Sequence, residues 1–182
     1  MIDLTVKRVL GILATDVELS EDDFIHLYQQ HLDRIFNYVR YRLGPEEAED
    51  VTADIFVRAW ARRREYDPGK GTPGTWLWAI ARNMVIDRLR RRRPLQVELS
   101  ADLASRHNPQ VEAEKEEEWR QLRSALVQLP WVDQEIIALR FGAGHTNRTI
   151  ATWTGLSETN VAQRLRRALH KMRTLLQEDD AS

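Results

Sequence analysis

The 182-residue chain contains no cysteine, so it has no disulfide framework and no thiolate metal site. Its five histidines show no metal-ligand spacing, and we interpret them as surface or partly packed residues. No apolar run approaches the roughly 18 residues needed to cross a membrane. No segment alternates apolar and polar residues as a strand would. The sequence also shows no grouping of nucleophile, base and orienting residue, and no Gly-rich phosphate loop. We therefore expect an all-α cytoplasmic protein with no cofactor, no metal, no membrane insertion and no enzymatic activity.

The formal net charge of −1 hides a strong segregation of charge along the chain. Residues 16–54 hold eleven acids and three bases, a net charge of −8. Residues 58–93 hold eleven bases and three acids, a net charge of +8, and residues 139–175 hold seven bases and one acid, a net charge of +6. This pattern predicts two basic surfaces for a polyanion and one acidic surface for a different partner.

Apolar residues at helical spacing predict three helices in the first half of the chain, over 23–43, 45–64 and 76–92. In the first helix they form one face of about five turns. The members of that face are Phe24, Leu27, Tyr28, Leu32, Ile35, Phe36, Val39 and Leu43. Gly44 and Pro45 suit the end of one helix and the first turn of the next. Residues 66–75 hold three glycines and two prolines, which predicts a loop before the third helix.

The composition changes after residue 93 and predicts two domains. Residues 94–120 hold seven acids and three bases. We expect a flexible acidic linker over 94–111, between one small helical domain over 20–93 and a second over 112–177. Residues 1–19 carry apolar residues at helical spacing with charges between them, which predicts an amphipathic extension packed on the body or on a partner.

The strongest local pattern lies near the end of the second domain and indicates a helix-turn-helix. Ile150 and Ala151 suit a short first helix, Gly155 suits a turn, and Ser157 suits the N-cap of the second helix. The second helix has one apolar face, formed by Val161, Leu165, Ala168 and Met172. Polar residues at its start and cations further along suit the DNA major groove. An ordinary amphipathic hairpin with a solvated basic face is the alternative.

Two further patterns each allow a structural and a functional interpretation. Asp50, Asp54 and Arg58 share one face of the second helix, where they form either a salt-bridged solvent face or a binding surface. The third helix ends in cations after Arg88, which favour the helix dipole and would also suit phosphates.

Three segments in sequence order, 48–60, 75–90 and Leu129-Pro130 ahead of the helix-turn-helix, resemble bacterial RNA polymerase sigma factors of the sigma-70 family. The two-domain form is similar to the extracytoplasmic-function type, and the resemblance covers about residues 22–175. It implies a protein that binds core RNA polymerase and directs promoter-specific initiation by recognising −10 and −35 elements of promoter DNA. It also implies control by an anti-sigma protein.

The resemblance assigns residues to three surfaces. Those implied in polymerase binding are Asp50, Asp54 and Arg58. Those implied at the −10 element are Tyr66, Lys70, Arg82, Asn83, Arg88, Arg90, Arg91 and Arg92. Those implied at the −35 element are Glu158, Thr159, Asn160, Gln163, Arg164, Arg167 and Lys171. The chain departs from the family pattern at Ala53, where Gln is common, and at Thr149 and residues 159–163. Most of these differences lie where −35 bases would be read.

A stand-alone helix-turn-helix regulator remains the alternative function. Such a protein would need a dimer interface to read two half-sites, and its second basic domain would have no explanation.

Overall fold

The structure, a computed structural model, describes residues 19–92 and 109–179. Within these ranges it is helical, as predicted, with seven α-helices and no strand. The helices are α1 (Glu21–Leu43), α2 (Pro45–Ala61), α3 (Pro73–Arg92), α4 (Pro109–Val127), α5 (Trp131–Ile137), α6 (Asn147–Thr154) and α7 (Glu158–Asp179). Residues 1–18 of the predicted extension over 1–19, and residues 94–108 of the predicted linker over 94–111, lie outside the described residues.

Local capping explains where the first helices begin and end. The Ser20 hydroxyl accepts a hydrogen bond from the Asp23 amide at 3.1 Å and caps α1. Gly44 has φ of 105°, which favours glycine, and it separates α1 from Pro45 at the first turn of α2. The predicted features at this junction are confirmed.

Four helix boundaries differ from those predicted. Helix α1 begins at Glu21, two residues before the predicted start at residue 23. Helix α2 ends at Ala61 rather than residue 64 and is followed by a 3-10 turn, Arg63–Glu65. Helix α3 begins three residues early, at Pro73, because the Thr72 hydroxyl accepts from the Thr75 amide at 3.2 Å. The second domain is predicted to begin with a helix near residue 112, and α4 begins three residues earlier, at Pro109, where proline suits a first turn.

The seven helices form two units that pack directly on each other. We call α1–α3 the N-terminal unit and α4–α7 the C-terminal unit. Helix α5 continues into a π-helical turn, Ala138–Gly142, which packs against the middle of α1. One hydrophobic core runs through both units and includes Ile35 and Val85 of the first and Leu139 and Ile150 of the second. The two units therefore share a core.

Gly142 allows this close approach. A Cβ atom at Gly142 would lie 3.1 Å from the carbonyl carbon and oxygen of Asn37 and from the Tyr38 nitrogen. These are backbone atoms of α1, so they cannot rotate away as a flexible side chain could. A residue without a side chain is thus required where the π-helical turn contacts α1.

None of the helices in the described ranges is both long enough and apolar enough to span a bilayer.

Candidate nucleic-acid and protein interfaces

The acidic face of α2 is exposed. Asp50, Asp54 and Arg58 all point away from the core, while Val51 and Ile55 on the opposite side are buried. Val57 lies on the same exposed face and is 68% exposed. The face therefore presents two carboxylates, one guanidinium and one apolar side chain to solvent.

The loop between α2 and α3 is held by its own side chains. The Tyr66 hydroxyl donates to the Gly71 carbonyl at 2.9 Å, and its ring packs edge-on against Trp76 with centroids 5.9 Å apart. Lys70 forms an ion pair with Asp67 at 3.1 Å and is otherwise exposed. The loop forms one wall of a groove of about 650 Å³, and α1, Trp78 and residues of the C-terminal unit form the rest of its lining.

The cations at the end of α3 are exposed, although two have acidic partners. Arg88 pairs with Glu47 of α2, and Arg90 lies 4.0 Å from Asp87. Arg91 and the nearby Asn83 are also exposed. Arg92 ends the helix, and its side chain lies outside what the structure describes.

The helix-turn-helix forms as its turn and cap residues predict. Gly155 adopts a left-handed conformation with φ of 72°, and its amide donates to the Ala151 carbonyl at 3.0 Å. The Ser157 hydroxyl accepts from the Asn160 amide at 3.1 Å and so caps α7. The predicted apolar face of α7 is confirmed: Val161, Ala168 and Met172 are buried. Its opposite face is left free to enter a groove.

Most of the predicted −35 residues lie on that free face. Thr159, Gln163 and Arg167 are exposed, and Asn160 is half-buried. Glu158 lies 3.9 Å from Arg148 of α6. Polar residues thus make up most of the exposed surface over the first three turns of α7.

The position of the α7 cations on the helix predicts that Arg164 and Lys171 lie on the solvent side, and the structure agrees for Lys171 but shows Arg164 partly covered by α5. The Arg164 Nη1 atom donates to the Asp133 carboxylate at 2.9 Å, with 30% of the arginine side chain exposed. Lys171 donates to the Gln128 carbonyl at 3.1 Å but remains exposed. The contact between Arg164 and Asp133 links α7 to α5.

Arg82 differs from the other predicted −10 residues because it points into the interface between the units. Its Nε donates to Glu135 Oε1 at 2.9 Å, and its Nη1 donates to the Trp153 carbonyl at 3.0 Å. The structure therefore places Arg82 apart from Arg88, Arg90 and Arg91, with which the sequence had grouped it.

Glu135 is the centre of a buried ionic cluster that the sequence analysis missed. Its side chain is 1% exposed, and the Tyr38 hydroxyl donates to both of its carboxylate oxygens at 3.1 Å. Arg42 Nε lies 3.1 Å from Oε2 in an ion pair, and Arg42 Nη1 donates to Gln134 at 3.0 Å. Burial, followed by the nearby Glu135 charge, raises the pKa of Tyr38 well above its usual value.

His145 lies between two tryptophans at the same interface, which corrects its interpretation as a surface or partly packed residue. Its ring centroid is 4.5 Å from those of both Trp78 and Trp153, and the residue is 8% exposed. Arg34 donates to the Ala143 carbonyl at 2.7 Å and lies 3.3 Å from His145 Nδ1. Burial, with Arg34 and His31 adding repulsion, lowers the pKa of His145 to about 4.

We expect the folded form to lose stability as pH falls from about 6.5 to about 4. Unfolded His145 binds a proton near its ordinary pKa of 6.5, whereas the folded residue resists protonation until about pH 4. Stability is therefore full above pH 6.5, and the loss reaches at most about 3 kcal/mol. Urea unfolding at pH 7.5, 6 and 5 would measure it, with His145→Gln expected to show a shallower pH dependence. Parallel curves for the two proteins would contradict this.

The described residues include no group of three or more His, Asp or Glu side chains arranged to hold a metal ion.

Comparison with known proteins matches two segments of the chain to family models. Residues 27–94 match Sigma-70 region 2, and residues 119–172 match Sigma-70, region 4. The ECF RNA polymerase sigma factor RpoE of Cereibacter sphaeroides is 28% identical over 156 residues, which are 85% of this chain and 86% of the relative. The ECF RNA polymerase sigma factor BldN of Streptomyces coelicolor is 30% identical, and the match covers 97% of this chain and 69% of the relative.

Solved structures share the fold. CnrH in complex with the cytosolic domain of CnrY gives a TM-score of 0.63 at 26% identity, covering 94% of this chain and 97% of that chain. RpoE of Bartonella quintana in complex with the anti-sigma factor NepR gives a TM-score of 0.64 at 22% identity, covering 85% and 97%. At that identity, the second likeness concerns the fold alone.

Proposed function

Because the chain belongs to the sigma-70 family, as an extracytoplasmic-function sigma factor, we propose that it joins core RNA polymerase in the cytoplasm and directs it to promoters. The observation that carries this proposal is the separation of one exposed acidic helix face from two basic, exposed helix surfaces. We assign polymerase and −10 binding to residues 20–93 and −35 binding to residues 112–177. In this role the chain binds and positions, and polymerase performs the chemistry.

We assign the polymerase contact to the exposed face of α2. Asp50 and Asp54 would meet cationic groups of polymerase, Arg58 an anionic group, and Val57 would add apolar contact at the centre. Exposed charges chiefly steer association, and desolvated ones fix orientation. The mixed composition of the face supports a protein partner rather than DNA, because its two carboxylates would repel phosphates.

We assign −10 recognition to the loop over 66–75 and the basic end of α3. Arg88, Arg90 and Arg91 would follow the phosphates, and the part of the groove formed by the N-terminal unit, beside Tyr66, would receive an unstacked base. Unstacking a base costs a few kcal/mol, which contacts in the groove would offset.

We assign −35 recognition to the first turns of α7. Thr159 and Gln163 are exposed where a recognition helix meets base edges, and Arg167 follows one turn later where a cation suits phosphate. Thr146 caps α6 with a hydrogen bond of 3.2 Å, and Ser157 caps α7 with one of 3.1 Å. These caps support a helix-turn-helix that keeps its shape when it binds DNA.

We also propose an anti-sigma protein as a partner. The similar chains CnrH and RpoE of Bartonella quintana were solved with CnrY and with the anti-sigma factor NepR, respectively. A partner of this kind would cover the acidic face of α2, the basic surfaces, or both.

Transcription by core polymerase on a pool of random promoters tests the proposed function. We expect wild type to support transcripts, and Asp50→Lys with Asp54→Lys to lower polymerase affinity at least about tenfold, because reversed charges would face cationic groups. The double variant Glu49→Lys, Glu118→Lys is the matched control: it makes the same charge change at exposed sites off the face. Glu49 is rotated about 100° from Asp50.

Each outcome of this experiment is informative. Equal losses in the two double variants would remove the assignment to the α2 face. No transcripts from wild type, together with binding to duplex DNA in a gel, would favour the stand-alone regulator.

A further inference from the structure

The carboxylate of Glu135 is held by the opposite unit. Glu135 belongs to α5, yet among the described residues its hydrogen-bond and ion-pair partners are Tyr38, Arg42 and Arg82, all on the N-terminal unit. The C-terminal unit thus inserts one negative charge into a cluster of two guanidinium groups and a hydroxyl. Separating the units would break every one of these contacts.

Arg82 is unavailable to DNA while these contacts exist. Its Nε is bound to Glu135 and its Nη1 to the Trp153 carbonyl, and 17% of its side chain is exposed. Carboxylate and phosphate both present oxygen acceptors that match a guanidinium group. Glu135 therefore occupies the position at Arg82 that a phosphate oxygen would take.

We propose that Glu135 is an internal competitor of single-stranded DNA for Arg82, so that the packed arrangement of the two units masks part of the −10 surface. This inference rests on the proposed function for the assignment of Arg82 to the −10 surface. DNA binding at Arg82 then requires the C-terminal unit to move away and take Glu135 with it.

The packing around Glu135 makes this a concerted change. Gly142 abuts the backbone of α1, Arg34 donates to the Ala143 carbonyl, and His145 is enclosed by Trp78 and Trp153. Close-packed contacts of this kind do not loosen gradually, so Glu135, Gly142 and His145 should leave together.

The masking is selective. Thr159, Gln163 and Arg167 on α7 remain exposed while the units are packed together, as do Arg90 and Arg91 at the end of α3. The arrangement therefore leaves the −35 surface open and covers Arg82 in particular.

Binding of a fluorescent random-sequence single-stranded 20-mer to the full chain, measured by anisotropy over a salt series, tests the competition. We expect Glu135→Gln to bind at least about threefold more tightly than wild type, because a larger fraction has Arg82 free. Its slope of log K against log salt should be steeper by about 0.7, the value for one added phosphate contact. Glu118→Gln, which removes an exposed charge, should behave like wild type.

Arg82→Gln separates competition from a general charge effect. Combined with Glu135→Gln, it should abolish both the gain in affinity and the change of slope. The inference is overturned if Glu135→Gln leaves the slope unchanged, or if the full gain persists without Arg82. Far-UV circular dichroism would confirm that each variant keeps its helices.

Gly142→Ala tests the change of arrangement without touching a charge. Because the chain has no cysteine, donor and acceptor dyes can be placed at Glu49→Cys and Thr174→Cys, both exposed. We expect Gly142→Ala and Glu135→Gln each to lower energy transfer relative to wild type. Equal transfer in all three proteins would overturn the inference. Neither assay contains polymerase or a promoter, so failure here is distinct from failure of the transcription test.

Discussion

Trp78→Ala is expected to lower the free energy of unfolding by about 3–5 kcal/mol. The side chain is 1% exposed, and its ring contacts those of Tyr38, His145 and Trp153, with centroid distances of 4.5 to 5.8 Å. Its indole N–H donates to His31 Nδ1 at 3.3 Å. The substitution therefore leaves a cavity at the junction of both units and removes a hydrogen bond. Urea unfolding followed by circular dichroism measures the loss.

Trp131→Ala is the matched control, because it removes the same side chain where it is 50% exposed. Because half of the apolar area is already exposed to water, we expect a loss about half as large, about 2 kcal/mol. Similar losses in the two variants would mean that the buried side chain of Trp78 stabilises the fold no more than the half-exposed side chain of Trp131. That result would contradict the structure.

The sequence predicted the helix-turn-helix well because its signals are local. Ser157 caps a helix that begins one residue later, and Gly155 supplies the left-handed turn between two helices. The buried face of α7 could also be identified, from apolar residues spaced three and four apart, because α7 buries a single face.

The inward face of α3 was harder to predict because this helix packs in two directions. Helical spacing favours Trp76, Ile80, Met84 or Val85, and Leu89 as its inward residues. Ile80 and Val85 are buried as expected, but Trp76 is half-buried, and Leu77 and Trp78, outside that set, are fully buried. A helix covered by both units has buried residues on more than one face. A spacing rule that assumes a single buried face therefore identifies only some of the buried residues of α3.

The ionic cluster could be predicted only in part. Arg42 follows Ile35 and Val39 at helical spacing, so its place on the buried face of α1 was visible in the sequence. The role of Glu135 was not, because its partners Tyr38 and Arg82 lie 97 and 53 residues away. Rules based on neighbours three or four residues apart do not reach that far. The masking of Arg82 is therefore a property of the tertiary structure.

Glu135→Ala is expected to destabilise the packed arrangement by about 3–5 kcal/mol, the usual cost of leaving a buried charge without its partner. Arg42, whose side chain is 2% exposed, would keep its charge without the carboxylate that lies 3.1 Å away. Separation of the two units would return Arg42 to water, so the loss cannot exceed the free energy that holds the units together. We expect scanning calorimetry to change from one transition in wild type to two in the variant.

Replacing the ionic cluster with apolar residues shows why Glu135→Ala destabilises the protein. It separates the cost of leaving Arg42 without a carboxylate from the cost of lost side-chain packing. Tyr38→Phe, Arg42→Met and Glu135→Leu together remove the buried charges of Arg42 and Glu135 and keep similar side-chain volumes. Apolar replacement of a buried ion pair is often neutral or stabilising. The triple variant should therefore regain a single transition, with Arg82 still able to donate to the Trp153 carbonyl. Two transitions in the triple variant would mean that the ionic contacts themselves, and not the shared core, hold the units together.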